Sequence, residues 1–87
     1  MKLVPSKQFV KNLKKLPPKM RVVLAERLRI LATNPQHPLL NDHPLQGGLR
    51  GFRSMNVSGD YRLIYQKVGE GILRLMDVDT HHNLYGT

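Results

Sequence analysis

The sequence predicts an α+β fold, β-α-α-β-β-β in chain order, with a helical hairpin packed on a small, mostly antiparallel four-stranded sheet. Three observations predict it. Two amphipathic helical patterns meet at Pro17-Pro18. Three strand-like segments with alternating apolar residues follow residue 48. Short turns containing Gly separate those segments closely enough to make hairpins. Eighty-seven residues suffice for one domain, residues 1–87, and leave no room for a second.

Lys2-Leu3-Val4 reads as a short strand. Ser6 is a good N-cap for a helix in which Phe9, Leu13 and Leu16 recur at i, i+4 and i+7. Lys7, Lys11, Lys14 and Lys15 fall between them and make its outer face basic. Pro17 disfavours helical geometry in Leu16, so the helix is expected to stop there. Pro18 suits the first turn of a second helix, 18–33. Met20, Val23, Leu24, Leu28 and Leu31 form its apolar stripe, with Arg21, Arg27 and Arg29 outside it. Residues 35–48 hold three prolines and two glycines and read as a loop. Three strands are predicted after it, over 49–57, 60–67 and 72–78, with a hairpin turn at Val68-Gly69-Glu70-Gly71.

The first hairpin is ambiguous. A two-residue turn at Ser58-Gly59 puts Val57, Met55 and Arg53 on the face of Asp60 and Arg62. A three-residue loop, Val57-Ser58-Gly59, puts Asn56 and Ser54 there instead. In both, Asp60 and Arg62 lie two apart on one strand and point the same way, with Tyr61, Leu63 and Tyr65 on the apolar face.

The formal net charge of +8 is uneven. Residues 1–33 hold nine Lys/Arg and one acid, Glu26; residues 34–87 hold five of each sign. A one-sided basic surface attracts polyanions, although a solvated helix face accounts for lysines equally well. The absence of cysteine excludes disulfides and thiolate zinc sites. No apolar run approaches the roughly 20 residues that span a bilayer, and the first residues lack the apolar core of a signal peptide, which predicts a soluble cytoplasmic protein without membrane partners.

Groups able to move protons cluster late in the chain. Imidazole and carboxylate are the usual proton-transfer groups near neutral pH. His43 precedes Pro44 in extended backbone. His81 and His82 follow the last strand. An Arg beside a carboxylate, as in Asp60 and Arg62, is either a surface ion pair or a phosphate clamp beside a proton acceptor. The run Asp77-Val78-Asp79-Thr80-His81-His82 has metal-binding residue types but no standard ligand spacing, so neither a metal nor another cofactor is expected.

In order, His43-Pro44-Leu45-Gln46-Gly47, Gly51-Phe52-Arg53, Gly59-Asp60-Tyr61-Arg62-Leu63-Ile64-Tyr65 and Thr80-His81-x-x-Leu84-Tyr85 follow a basic helical hairpin. In this the chain resembles the RelE/ParE superfamily of bacterial type II toxins, most closely the YafQ-like branch of ribosome-dependent mRNA interferases, from Phe9 to Tyr85. The resemblance implies a RelE-like sheet and helical hairpin. It implies that His43, Asp60 and His81 occupy acid–base positions, that Arg62 stabilises the scissile phosphate, and that Tyr85 lies near the substrate. Asn56 stands where the branch has another catalytic histidine. It can hydrogen-bond a phosphate or base but cannot transfer a proton, and Arg62 and His82 are the candidates to compensate. Arg53, Asn56, His82 and Tyr85 are the expected substrate contacts. The resemblance also favours the three-residue hairpin loop.

The function so implied is mRNA cleavage in the ribosomal A site by 2′-OH attack, with His81 as acid and Asp60 or His43 as base. Lys7, Lys11, Lys14, Lys15, Arg21 and Arg27 would hold ribosomal RNA. The implied partners are mRNA, the ribosome and a small RelB- or DinJ-like antitoxin, the complex binding operator DNA. Two alternatives stay open: a ParE-like toxin that inhibits DNA gyrase by binding, and a non-catalytic protein on the same scaffold.

Overall fold

Pro5 and Ser6 separate the first strand from the first helix. The computed structural model describes residues 1–86. Strand β1 (Lys2–Pro5) leads to helix α1 (Lys7–Leu13), whose N-cap Ser6 accepts from the Phe9 amide at 3.1 Å and donates to the Met76 carbonyl at 2.8 Å. The same side chain thus starts the helix and ties it to the last strand. Helix α1 ends at Leu13 rather than Leu16; Lys14, Lys15 and Leu16 form a turn, and Leu16 is nonetheless buried. The proline pair acts further upstream than its effect on Leu16 alone predicts. Helix α2 (Pro18–Thr33) has the expected proline in its first turn, and it buries Leu24 and Leu31.

The loop expected over 35–48 is partly structured. It contains a 3₁₀ turn at Pro38–Leu40, a two-residue strand β2 (His43–Pro44) and a second 3₁₀ turn starting at Gly47. Strands β3 (Arg53–Ser58), β4 (Tyr61–Gly69) and β5 (Ile72–Thr80) follow, then a single short helix α3 (His81–Tyr85). The sheet therefore has five strands, not four, in the order β1-β5-β4-β3-β2, with β1 parallel to β5 and all other pairs antiparallel. The fifth strand was hidden because a two-residue strand ending in proline has no periodicity to read.

One face of the sheet receives the helices. Met55, Val57, Leu63, Tyr65, Leu73, Leu75 and Val78 meet Phe9, Leu16, Leu24 and Leu31 in a shared core. Full burial of each such aliphatic or aromatic side chain contributes about 1.5–3 kcal/mol. Two irregularities keep that face apolar. Val57 is the extra residue between the Asn56–Arg62 and Ser58–Tyr61 pairs, and Met76 is the extra residue between the Ile64–Asp77 and Tyr65–Leu75 pairs. No described helix is long and apolar enough to cross a membrane.

Candidate active site

The β3–β4 turn decides which side chains leave the core. Neither expected register is found. Ser58 pairs with Tyr61, so the turn residues are Gly59 and Asp60, and Gly59 has φ +53°. A glycine with positive φ at the first central position is what a type II′ turn needs. The bulge at Val57 then restores the parity of the three-residue alternative: Asn56 lies opposite Arg62, and Ser54 opposite Ile64. Side chains alternate along a strand, so Ser54, Asn56 and Arg62 point away from the helical hairpin while Met55 and Leu63 point toward it. Asp60 is in the turn, not on β4, and its expected alignment with Arg62 on one strand face is corrected accordingly.

On that outer face a cleft of about 370 Å³ is lined by Asn41, His43, Leu45, Ser54, Asn56, Arg62, His81 and Tyr85. Pairing of His43 with Ser54 brings the β2 histidine in at the sheet edge. Helix α3 brings His81 and Tyr85 over the other side. Its N-cap Thr80 accepts from the Asn83 amide at 3.2 Å, and Asp79 accepts from both the Thr80 amide (2.7 Å) and the Asn83 side chain (2.9 Å). The His81 amide donates to the Asp60 carbonyl at 2.8 Å, so the turn and α3 lock together. Tyr85 donates its hydroxyl proton to buried Ser54 at 3.1 Å and meets the His81 ring edge-on, with centroids 4.6 Å apart.

Each polar group in the cleft has a defined chemical capacity. Nδ1 of His43 is 2.8 Å from the Asn41 carbonyl. A carbonyl only accepts, so Nδ1 carries the proton and Nε2 of the neutral ring is a proton acceptor. Nη1 of Arg62 donates to the carbonyls of Gly59 (2.8 Å) and Tyr61 (3.0 Å). The guanidinium is steadied over the turn, with Nε and Nη2 remaining as donors for an anion. A base, a cation and a second imidazole thus share one cleft with an amide and a phenol.

Other expected site residues lie elsewhere. The Asp60 carboxylate is exposed and does not line the cleft; its backbone carbonyl is what reaches α3. His82 is exposed on α3 and also outside the lining. Arg53 points to the opposite side, where its Nε donates to Asp42 Oδ1 at 2.6 Å and the Tyr65 hydroxyl donates to Asp42 Oδ2. The Asp42 hydrogen bond chiefly raises the Arg53 pKa against the opposing cost of burial. Burial, followed by the Asp42 bond, pushes the Tyr65 phenol well above its ordinary 10.0. Arg53, Asp42 and Tyr65 line a larger cavity of about 960 Å³ with His37, Asn41 and Lys67. Conversely, Asn41 and Leu45 line the cleft and were not expected to, whereas Ser54 lies on the face where the three-residue alternative puts it. Asn41 carried a signal, since asparagine tolerates left-handed backbone.

The basic residues also separate. Lys7, Lys11, Lys14, Lys15 and Arg21 are exposed on the hairpin, across the sheet from the cleft. Arg27 is committed to packing: its side chain is 17% exposed, its Nε donates to the Val57 carbonyl at 3.2 Å, and Nη1 pairs with Glu26 at 3.3 Å. Among the described residues, no group of three or more His, Cys, Asp or Glu is placed to hold a metal ion.

A family model described as a bacterial toxin of type II toxin-antitoxin systems, YafQ, matches residues 1–86. The chain belongs to the YafQ toxin family. The mRNA interferase toxin YafQ of Escherichia coli K12 is 41% identical over 59 residues, which are 68% of this chain and 63% of that protein. The alignment thus spans less than two thirds of the curated relative. The crystal structure of YafQ from Escherichia coli BL21(DE3) superposes with a TM-score of 0.82 at 30% identity, covering 97% of each chain. A YafQ-like fold also matches in the Escherichia coli DinJ–YafQ toxin–antitoxin complex, with a TM-score of 0.79 at 32% identity over 97% of this chain and 96% of that one. Asn56, at the position where the resemblance implies a histidine, lies directly across from Arg62.

Proposed function

We propose that the chain is an endoribonuclease toxin that cuts translated mRNA in the ribosomal A site and is neutralised by a small antitoxin. The observation that supports it most is the convergence of His43, Arg62 and His81 on one cleft outside the core. Those groups match the demands of 2′-OH attack. Nε2 of His43 takes the proton from the ribose 2′-OH as its oxygen bonds to phosphorus. Arg62 meets the extra negative charge that develops on the phosphoryl oxygens. Protonated His81 gives its proton to the 5′-oxygen as the P–O5′ bond breaks. The products are a 2′,3′-cyclic phosphate and a 5′-hydroxyl. Asn56 acts as a hydrogen-bonding group beside Arg62, and the exposed hairpin lysines hold ribosomal RNA. Action on translated mRNA sets the site of action in the cytoplasm. The Escherichia coli complex of DinJ with YafQ supports an antitoxin partner for this chain, and an acidic, partly disordered segment would suit its +8 charge.

The test is cleavage of an mRNA on programmed ribosomes, with the RNA ends analysed chemically. Cyclic phosphate ends are expected, and His81→Ala is expected to slow cleavage about 10²–10⁴-fold. Intact mRNA in growth-arrested cells, together with trapped DNA gyrase, would replace this reading with the binding toxin.

A further inference from the structure

Four consecutive residues, Leu40 to His43, alternate between anchor and cleft. Leu40 is fully buried in the core, at the end of its 3₁₀ turn. Asn41 lines the cleft and adopts φ 45°, ψ 47°, the one non-glycine residue with positive φ among the described residues. Asp42 turns back into the body: its side chain is 6% exposed and is held by Arg53 and by Tyr65, itself fully buried. His43 returns to the cleft. Left-handed backbone is costly for a residue with a β-carbon and persists where the surroundings over-determine it. Here the surroundings are Leu40 on one side and the doubly bonded Asp42 carboxylate on the other. The result of that conformation is that the Asn41 carbonyl points at Nδ1 of His43.

We propose that Asn41, through its left-handed backbone, and Asp42, through its bonds to Arg53 and Tyr65, are positioning residues that fix the Nδ1–H tautomer of His43 and so keep Nε2 as the base. The inference rests on the endonuclease reading for its consequence, but not for its geometry. A hydrogen bond to one ring nitrogen sets which nitrogen is protonated, and a catalytic ring depends on that choice. Asp42 does not line the cleft and its carboxylate is held by Arg53 and Tyr65, so the influence proposed for it runs through the backbone it anchors.

The test is imidazole nitrogen NMR on the folded chain at a pH where His43 is neutral, alongside single-turnover cleavage. Wild-type His43 is expected to carry its proton on Nδ1. Asn41→Gly keeps access to the left-handed region, whereas Asn41→Val, β-branched, resists it. Both variants delete the amide, so a difference between them reports the backbone. Asn41→Val is expected to lose the single tautomer and to cleave about ten-fold more slowly than Asn41→Gly, in line with part of a general base contribution. Asp42→Asn is expected to mix the tautomers and to lower the cleavage rate with ribosome affinity unchanged. If wild-type His43 carries its proton on Nε2, or if folded Asn41→Val and Asp42→Asn both keep the wild-type tautomer, the proposal falls. Should the wild-type chain cut no RNA, the tautomer measurement still stands, and only the endonuclease reading is lost.

Discussion

His37 and His43 sit six residues apart on either side of Asn41, and their rings are wired in opposite senses. Nδ1 of His37 accepts from the Leu39 amide at 3.1 Å, which caps the 3₁₀ turn. The neutral His37 ring therefore carries its proton on Nε2 and has already committed its lone pair. Nδ1 of His43 instead faces a carbonyl, so its lone pair is on Nε2. One ring lines the 960 Å³ cavity that surrounds the Asp42 anchor; the other lines the 370 Å³ cleft with Arg62 and His81. The two residues are chemically the same, and each precedes a proline. Local backbone decides that one is a structural cap and the other a proton acceptor.

The sharpest way to break that contrast is to remove each ring. His43→Ala is expected to reduce cleavage about 10²–10⁴-fold with the fold intact, measured in a single-turnover assay on programmed ribosomes. His37→Ala is expected to leave cleavage within about two-fold and to cost about 0.5–1 kcal/mol of unfolding free energy for the lost cap, read from urea titration. Equal losses of activity would end the distinction.

The two arginines extend it. Arg62→Lys keeps charge but loses the planar fork, and is expected to slow cleavage about 10²-fold with stability nearly unchanged. Arg53→Ala is expected to cost about 2 kcal/mol of stability, because it strips a nearly buried carboxylate of its cation while part of the pair remains open to water. A variant of Arg53 that leaves the urea midpoint unmoved would show that Asp42 is anchored by Tyr65 alone.

Tyr65 makes the anchor sensitive to alkali. Its folded-state pKa is raised above the ordinary 10.0, chiefly by burial. Above about pH 10 the unfolded phenol releases its proton and the folded one keeps it, so stability present below that pH declines as pH rises, by up to about 1.4 kcal/mol per pH unit. Tyr65→Phe should be less stable near neutrality yet lose less between about pH 9 and 11. Parallel pH profiles for the two proteins would remove Tyr65 as the titrating group.

The smallest expected effect lies on the far side of the sheet. Replacing Lys14 and Lys15 with Gln is expected to lower the slope of log affinity for ribosomes against log salt by about 1–2, without changing the rate of the bound complex. An unchanged slope would leave those lysines as solvated surface.

The helical hairpin and the three long strands were legible because each repeats its apolar residues over two or more turns or alternations, although the strand expected from residue 49 begins only at Arg53, Leu49 closing a 3₁₀ turn instead. Met20, Val23, Leu24, Leu28 and Leu31 needed only their spacing. What was illegible is short or depends on one residue's dihedral. Strand β2 is two residues long, and α3 is five, though Thr80 followed by His81-His82-Asn83 carried a capping signal. Asp60 was misread because Gly59, by taking positive φ, moves the turn one residue onward and expels Asp60 from β4. The cleft's histidines and Arg62 were legible as types. The role of Asp42 was not, since an Asp before His-Pro gives no sign that Arg53 and Tyr65 wait for it across the sheet.

The strands at the two borders of the sheet, β1 and β2, each end in a proline. The Lys2 amide donates inward to the Gly71 carbonyl just before β5 and the Ser6 amide to Leu75 of β5, which turns the position of Pro5 outward. The Leu45 amide donates inward to the Phe52 carbonyl just before β3, which turns Pro44 outward. In each border strand the proline occupies a place where another residue would offer a free N–H to a passing chain. Proline has none to offer, and both strands are too short to template a ladder. On an open sheet, those two prolines remove one edge donor from each border, which makes pairing of copies edge to edge less favourable.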